Sequence, residues 1–367
     1  MPTPLCIVVG PPSHGVTAYA SDVAASLIEA DPAVRRRDVA TAELAETLVA
    51  DERPARVHLH VTDKLFGSSL EDAAERVERL AALTSLTVTL HDLPQPSDGE
   101  TAVHRRAAAY RRMARAAHGV VVSSEHERSL LAEHVDDALP RVLVAPLGTR
   151  PGAPFASAGS AGSAGSAGSA GSGVDAESAP PAADPSELRV VIAGYVYPGK
   201  GHDDAIAACG DLVRRGEAAS ATVVALGGPS AGHERDVEAL ASAATAVGVR
   251  FEVTGRLGDE AYAAAFHAPV VPLVAHRHWS ASRSLLDWAE QGRRAVVADT
   301  RYTREMDALR PGSIALYDPE SDGALAAALL AAHRDPRSTA LPAGTSLAPT
   351  LDDTAASHLA WWREVAP

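Results

Sequence analysis

Cysteine is scarce in this 367-residue chain, with only Cys6 and Cys209 present. Two thiols so far apart supply neither a disulfide framework nor a four-thiolate metal site, and they suit a reducing compartment. Cys6 lies in the apolar run LCIVV and Cys209 in AIAACGDL, so both are expected to be small core residues. Positive charge is in deficit: 33 Lys and Arg stand against 47 Asp and Glu, a net charge of −14. That excludes the basic surface of a generic nucleic-acid binder, while leaving room for a local basic pocket around one phosphate-bearing ligand. No run approaches the about 20 apolar residues that span a bilayer. The amino end lacks a basic start and an apolar signal core, because Pro11 and Pro12 end its first apolar run. The chain is therefore read as soluble and cytoplasmic, with peripheral contact to a membrane surface left open. What it does have is length and apolar content: 46% hydrophobic against 22% charged residues fits two packed domains.

One segment divides the chain. Residues 151–186 read PGAPFASAGSAGSAGSAGSAGSGVDAESAPPAADPS, with a Ser-Ala-Gly repeat at the centre. Such residues bury too little apolar area to offset backbone ordering, so a flexible linker is expected. A collagen-like period would need Pro in the repeat, which is missing. Residues 1–150 and 187–350 are then the two domains, each alternating short β-branched runs with helical spacing. In the first, Leu5–Val9, Val57–Val61, Leu86–Leu90, Gly119–Val122 and Arg141–Ala145 read as strands. Gly15–Glu29, Leu70–Leu83, Thr101–Ala117 and Glu125–His134 read as helices. In the second, strands are expected at Leu188–Ala193, Ala221–Leu226, Arg250–Thr254, Val270–Val274, Ala295–Ala298 and Ser313–Leu316. Helices are expected at Asp203–Arg215, His233–Val247, Asp259–Phe266 and Ser282–Gln291. This alternation implies an α/β protein with two Rossmann-like parallel sheets, the carboxyl ends of the strands facing a cleft where ligands bind.

Several residues could carry chemistry. The loop GPPSHGVT, from Gly10 to Thr17, joins the first strand to the first helix, and Gly15 lets backbone amides approach an anion or a sugar. It holds no G-x-G-x-x-G, and its prolines remove donors, which argues against a dinucleotide site; a plain turn is the alternative. AGYVYPGKGH, from Ala193 to His202, places Lys200 between two glycines directly after a strand, where its point charge can neutralise a diphosphate. A surface lysine is the plainer reading. In WSASRSLLD, Ser280 and Ser282 are natural N-caps of a helix whose amino end can take a phosphate, and Asp287 can accept hydrogen bonds from a ribose diol. Otherwise the serines merely cap and Asp287 is solvated. His91 closes a strand at the expected cleft and suits binding or proton transfer; a core or capping His is the usual alternative. His58 and His60, with Asp63 beyond, make a pair to which no third metal ligand is evident. Asp203 and Asp204 are expected in the first turn of a helix, complementing its dipole.

These pieces, in this order, resemble the retaining GT-B glycosyltransferases, specifically family 4. His14-Gly-Val16 is similar to that family's Gly-Gly-Val, Thr89-Leu-His-Asp92 to its Thr-x-His-Asp, and Val144-Ala-Pro-Leu-Gly148 to its Val-Ile-Pro-Asn-Gly. The Lys200 loop resembles its phosphate-binding loop, Leu226-Gly-Gly-Pro229 its Gly-x-Gly-Pro turn and Val253-Thr-Gly255 its Phe-x-Gly turn. The stretch Asp287–Val297 resembles Glu-Ala-Met-Ala-x-Gly-x-Pro-Val-Val. Residues 351–367, with Trp361 and Trp362, are similar to the terminal helix that returns to the first domain. The chain departs from the family at the Arg beside the lysine, replaced by Tyr195, and at the paired glutamates, which fall on Trp279 and Asp287.

The resemblance implies glycosyl transfer with retention from a nucleotide-diphosphate sugar to an acceptor it does not name, with no cofactor and no catalytic metal. His91 and Lys200 would be catalytic. Gly15, Gly194, Tyr195, Lys200, Ser280, Ser282, Arg283, Ser284 and Asp287 would bind the donor, Arg283 supplying charge lost at Tyr195. The departures also fit a degenerate relative that binds a sugar nucleotide or a partner without transfer. A sugar-nucleotide epimerase is a third reading.

Overall fold

Strands that are buried on both faces read as largely apolar runs, with any polar side chain among them finding a partner. β1 (Leu5–Val9), β3 (Arg56–Val61) and β5 (Gly119–Val122) are buried throughout. In the computed structural model, which describes residues 3–150 and 187–365, these join β2 (Arg35–Val39), β4 (Ser85–Leu90) and β6 (Val142–Val144) in one parallel sheet. Its order is β2-β1-β3-β4-β5-β6. The expected linker, residues 151–186, lies outside the described residues. The second sheet holds β7 (Glu187–Ala193), β8 (Ser220–Leu226), β9 (Arg250–Val253), β10 (Val271–Val274), β11 (Ala295–Ala298) and β12 (Ile314–Tyr317). Its order is β12-β11-β10-β7-β8-β9, again all parallel. Each is a Rossmann-like sheet with helices on its faces, as the alternation predicts.

The described residues divide into two units, one of residues 3–150, 278–283 and 347–365, the other of residues 187–277 and 284–346. In the first, Leu5, Leu59, Val88 and Val122 meet Tyr110 and Met113 in a single core. The helix Leu351–Glu364 completes this unit. Thr350 and Asp353 cap it reciprocally, and it packs on the helix Gly15–Ala30. Trp361 fills the space over Gly119, where a Cβ would come within 2.7 Å of the indole. Arg56 holds the helix end through a 3.0 Å bond from Nη1 to the Trp362 carbonyl. In the second unit, Leu188, Val190, Ile192, Leu212, Val223 and Leu273 form the corresponding core.

β2 and the helices Ala42–Glu52, Arg301–Leu309 and Ala324–Arg334 were not expected from the sequence. Cys6 and Cys209 are core residues, and burial pushes both thiols up to about 12. No helix among the described residues is long and apolar enough to cross a membrane.

Candidate functional site

The order of the second sheet reverses beside β7, whose neighbours are β8 on one side and β10 on the other. Chains leaving β7 and β10 part to opposite faces there, which opens the crevice where ligands of α/β sheets bind. The Lys200 loop leaves β7 at this point. Gly194 takes φ +106° and Gly201 takes φ +86°, conformations that suit glycine. Gly201 also lies so close to the end of β10 that a Cβ would stand 2.2 Å from the Ala275 carbonyl oxygen. The Arg277 amide donates to the Gly199 carbonyl at 2.9 Å, which ties the loop to the same strand end.

This packing delivers Lys200 to the crossover. Its side chain is buried, and Nζ lies 2.7 Å from His276 Nε2, the imidazole that follows β10. The Tyr197 ring centroid is 5.9 Å away. Among the described residues no carboxylate reaches ion-pair distance of this ammonium. Desolvation pulls the Lys200 pKa down to about 8, opposed by the negative charge of Asp287. Asp287 is buried in the helix Arg283–Glu290. The site is thus an ammonium held by packing and an imidazole, with one carboxylate at longer range. Such an arrangement leaves the cation available to an incoming anion.

His91, Gly15 and the His58–His60 pair belong to the first unit. His91 is buried at the end of β4, its Nε2 3.0 Å from His60 Nδ1, with the two rings stacked at 5.2 Å. Desolvation lowers His91 to about 4 and holds His60 well below the ordinary imidazole range. His58 donates and accepts between two threonines: Nδ1 is 3.0 Å from Thr87 Oγ1, and Nε2 is 3.1 Å from Thr89 Oγ1. One ring nitrogen of His58 donates to a threonine hydroxyl and the other accepts, as a neutral imidazole does. Asp63, which follows that pair in the sequence, meets the Tyr110 hydroxyl at 3.1 Å and Arg106 at 3.4 Å. Gly15 is exposed, and a Cβ there would meet nothing within 4 Å, so packing does not require the glycine.

Ser280 corrects an expectation. The helix starts at Arg283, so Ser280 is too early to cap it; its hydroxyl donates to Glu127 Oε1. The other Glu127 oxygen accepts from the Ser123 amide at 2.6 Å. Burial raises this carboxyl to about 7 despite those donors. Gln95 Nε2 and His126 Nε2 meet the adjacent Trp279 carbonyl at 2.7 and 3.0 Å. Ser282 is buried just before the helix, and Arg283 Nη1 donates to the Gly148 carbonyl at 3.3 Å. Asp203 and Asp204 do open a helix, His202–Arg214, and both are bound by Arg277.

Solved structures with this architecture are numerous, although the sequence matches no family model and no curated protein. Anabaena HepE in complex with UDP and glucose superposes with a TM-score of 0.61 at 15% identity, covering 99% of this chain and 98% of that one. Sucrose-phosphate synthase from Thermosynechococcus elongatus gives 0.62 at 15% identity, covering 99% and 96%. OtsA without ligand gives 0.59 at 12%, covering 99% and 95%. The fold is that of the GT-B glycosyltransferases. At these identities the likeness is one of fold.

Within the GT-B frame, the second unit brings Gly194, Lys200 and Asp287 together, with Tyr195 next along the loop and Ser284 in the first turn of the helix that carries Asp287. His91, Gly15, Ser280, Ser282 and Arg283 sit with the first unit. Sequence reasoning missed His276 and Glu127. His276 stands two residues after its strand and His91 one residue after its own, so the same rule about strand ends points to it. Glu127 stands three residues after Ser124 in the pattern Ser-x-x-Glu, which marks a helix start. Ser124 does cap the helix Glu125–Leu130. The glutamate reaches one residue further back, to Ser123.

Proposed function

We propose that the protein is a glycosyltransferase that takes a hexosyl unit from a nucleotide-diphosphate sugar, with retention of anomeric configuration. The observation that carries this is Lys200: a buried ammonium, without an ion-pair partner among the described residues, at the crossover of a parallel sheet. As the glycosidic bond breaks, negative charge grows on the leaving diphosphate. An ammonium already in place stabilises that charge with little reorganisation. By the resemblance, the amides at the start of the helix Arg283–Glu290 would add donors to the same diphosphate, and Asp287 would accept from the ribose hydroxyls. The resemblance gives His91 a role toward the sugar. The nucleotide sugar is a substrate, and protein cations rather than a bound cofactor hold its diphosphate.

HepE was crystallised with UDP and glucose, and with UDP-glucose, which makes uridine donors the first to try. Nucleotide release from a panel of UDP-, GDP- and ADP-sugars, with the protein and with Lys200→Ala, tests the reading. Release with at least one donor, lost in the variant, is expected. Equal release from both proteins would sink it.

A second reading has its own observation. Trp279 stands where the resembled family has its first glutamate; its side chain is buried and its carbonyl is fastened by Gln95 and His126. Donor binding without turnover would identify a sugar-nucleotide-binding protein.

A further inference from the structure

His276 is the nearest side-chain partner of Lys200, and its chemistry differs from that of any neutral hydrogen-bond acceptor. An ammonium has no lone pair, so in the 2.7 Å contact Nζ donates and Nε2 accepts. The imidazole is therefore neutral, with its proton on Nδ1. We infer that His276 is a second, proton-dependent cation of the diphosphate site: it holds Lys200 in place before the ligand arrives and takes a proton at Nε2 when a diphosphate draws the ammonium onto its own oxygens. This rests on the reading of Lys200 as a diphosphate ligand.

The surrounding charges favour that exchange. Asp287, on the helix Arg283–Glu290, already offsets part of the lysine's charge. Asp203 and Asp204, on the helix His202–Arg214, are engaged by Arg277 at 2.7 and 2.5 Å. His202 is buried and pushed down to about 3, so it stays neutral. The phenol of Tyr195 is raised to about 12 by burial and adds no charge. Lys200, with Arg256 acting on the Tyr195 phenol of the same loop, thus faces a ligand with two or more negative charges. An anion within 4–6 Å raises an imidazole's pKa by about 1 to 3, which carries an ordinary histidine across neutrality. The proton comes from solvent, and the new Nε2–H donates to the phosphate oxygens or back toward the site. His276 is only half-buried, so solvent can supply it.

Calorimetric titration of the full chain with UDP, near pH 6 and near pH 8 and in two buffers of different ionisation heat, separates the possibilities. Comparison at one pH with His276→Gln, whose amide oxygen still accepts from Lys200, cancels protonation of UDP itself. The expected result is that the wild-type protein takes up close to one more proton on binding than the variant. Its affinity advantage should be roughly tenfold near pH 6 and nearly gone near pH 8. Equal proton uptake and parallel pH dependence would overturn the inference. If the variant does not fold, the 15N signals of His276 in the wild-type protein decide. A change from one protonated ring nitrogen to two on saturation with UDP is expected, and an unchanged neutral ring overturns it. Lys200→Ala keeps the underlying reading separate: loss of UDP binding there, with His276→Gln behaving as wild type, overturns only the role of His276. Wild-type protein that binds none of UDP, GDP and ADP removes both.

Discussion

A side-chain carbon on Gly201 would stand 2.2 Å from the carbonyl oxygen of Ala275, so the lysine loop and the end of β10 approach as closely as backbones can. Gly201→Ala must move one of them and also hold alanine at a φ of +86°. A loss of about 2–4 kcal/mol is expected, read as a lower urea midpoint. Gly199→Ala meets no neighbour within 4 Å and pays only for its positive φ, about 1 kcal/mol. Equal losses would show that the close approach is not what fixes the loop.

Lys200 sets a second expectation. Its pKa of about 8 lies below the ordinary lysine value because burial disfavours the ammonium. Affinity for UDP should therefore fall as pH rises through the region above 8, as the free site loses its proton. Lys200→Met should weaken binding about ten- to a hundredfold near neutrality and abolish that alkaline fall. Titrations at several pH values check both.

Four of the buried histidines of the first unit make it acid-sensitive. His58, His60, His91 and His358 are all lowered by desolvation, the last two to about 4. Between that range and the unfolded value near 6.5, the unfolded chain binds protons that the folded one refuses, so stability rises with pH across this window. Urea midpoints should drop between about pH 7 and pH 5, and His91→Asn should flatten that slope. A midpoint constant over the window would contradict the neutral, desolvated cluster.

Glu127 titrates with the opposite sign. Its folded pKa of about 7 exceeds that of an unfolded glutamate, so the folded state binds the extra proton and stability falls as pH rises from about 4.5 to 7. Glu127→Gln can accept from the Ser123 amide and donate to the Ser280 hydroxyl, which is free to turn. The glutamine variant should gain thermal stability relative to wild type as pH goes from 6 to 8, whereas Glu127→Ala should lose about 1–3 kcal/mol at either pH by leaving a buried amide without its acceptor.

Where one physical signal dominated, the sequence was legible. Runs such as Leu5–Val9 and Ala295–Ala298 are uniformly apolar and short, and both are strands at those residues. β2 carries RRRDV and reads as a polar loop; it is an edge strand held by pairing with β1, and its arginines are matched by Asp38 and Glu52. The helix Ala324–Arg334 is apolar nearly all round, so no period shows. Lys200 was legible because glycine on both sides of a lysine after a strand is a strong local signal. His276 and the Glu127–Ser280 contact were not, since each joins residues 76 and 153 positions apart, a separation that only the folded sheet order brings together.

Because the helix Leu351–Glu364 belongs to the unit that begins with β1, the first unit is still incomplete when its six strands have left the ribosome. Roughly 200 residues, about 10–40 s of synthesis, separate β6 from the tryptophans that cover Gly119 and His58. During that interval a nascent chain carries an apolar face awaiting its last component, so speed of translation through the second half, and the chaperones that meet it, govern the yield of the first.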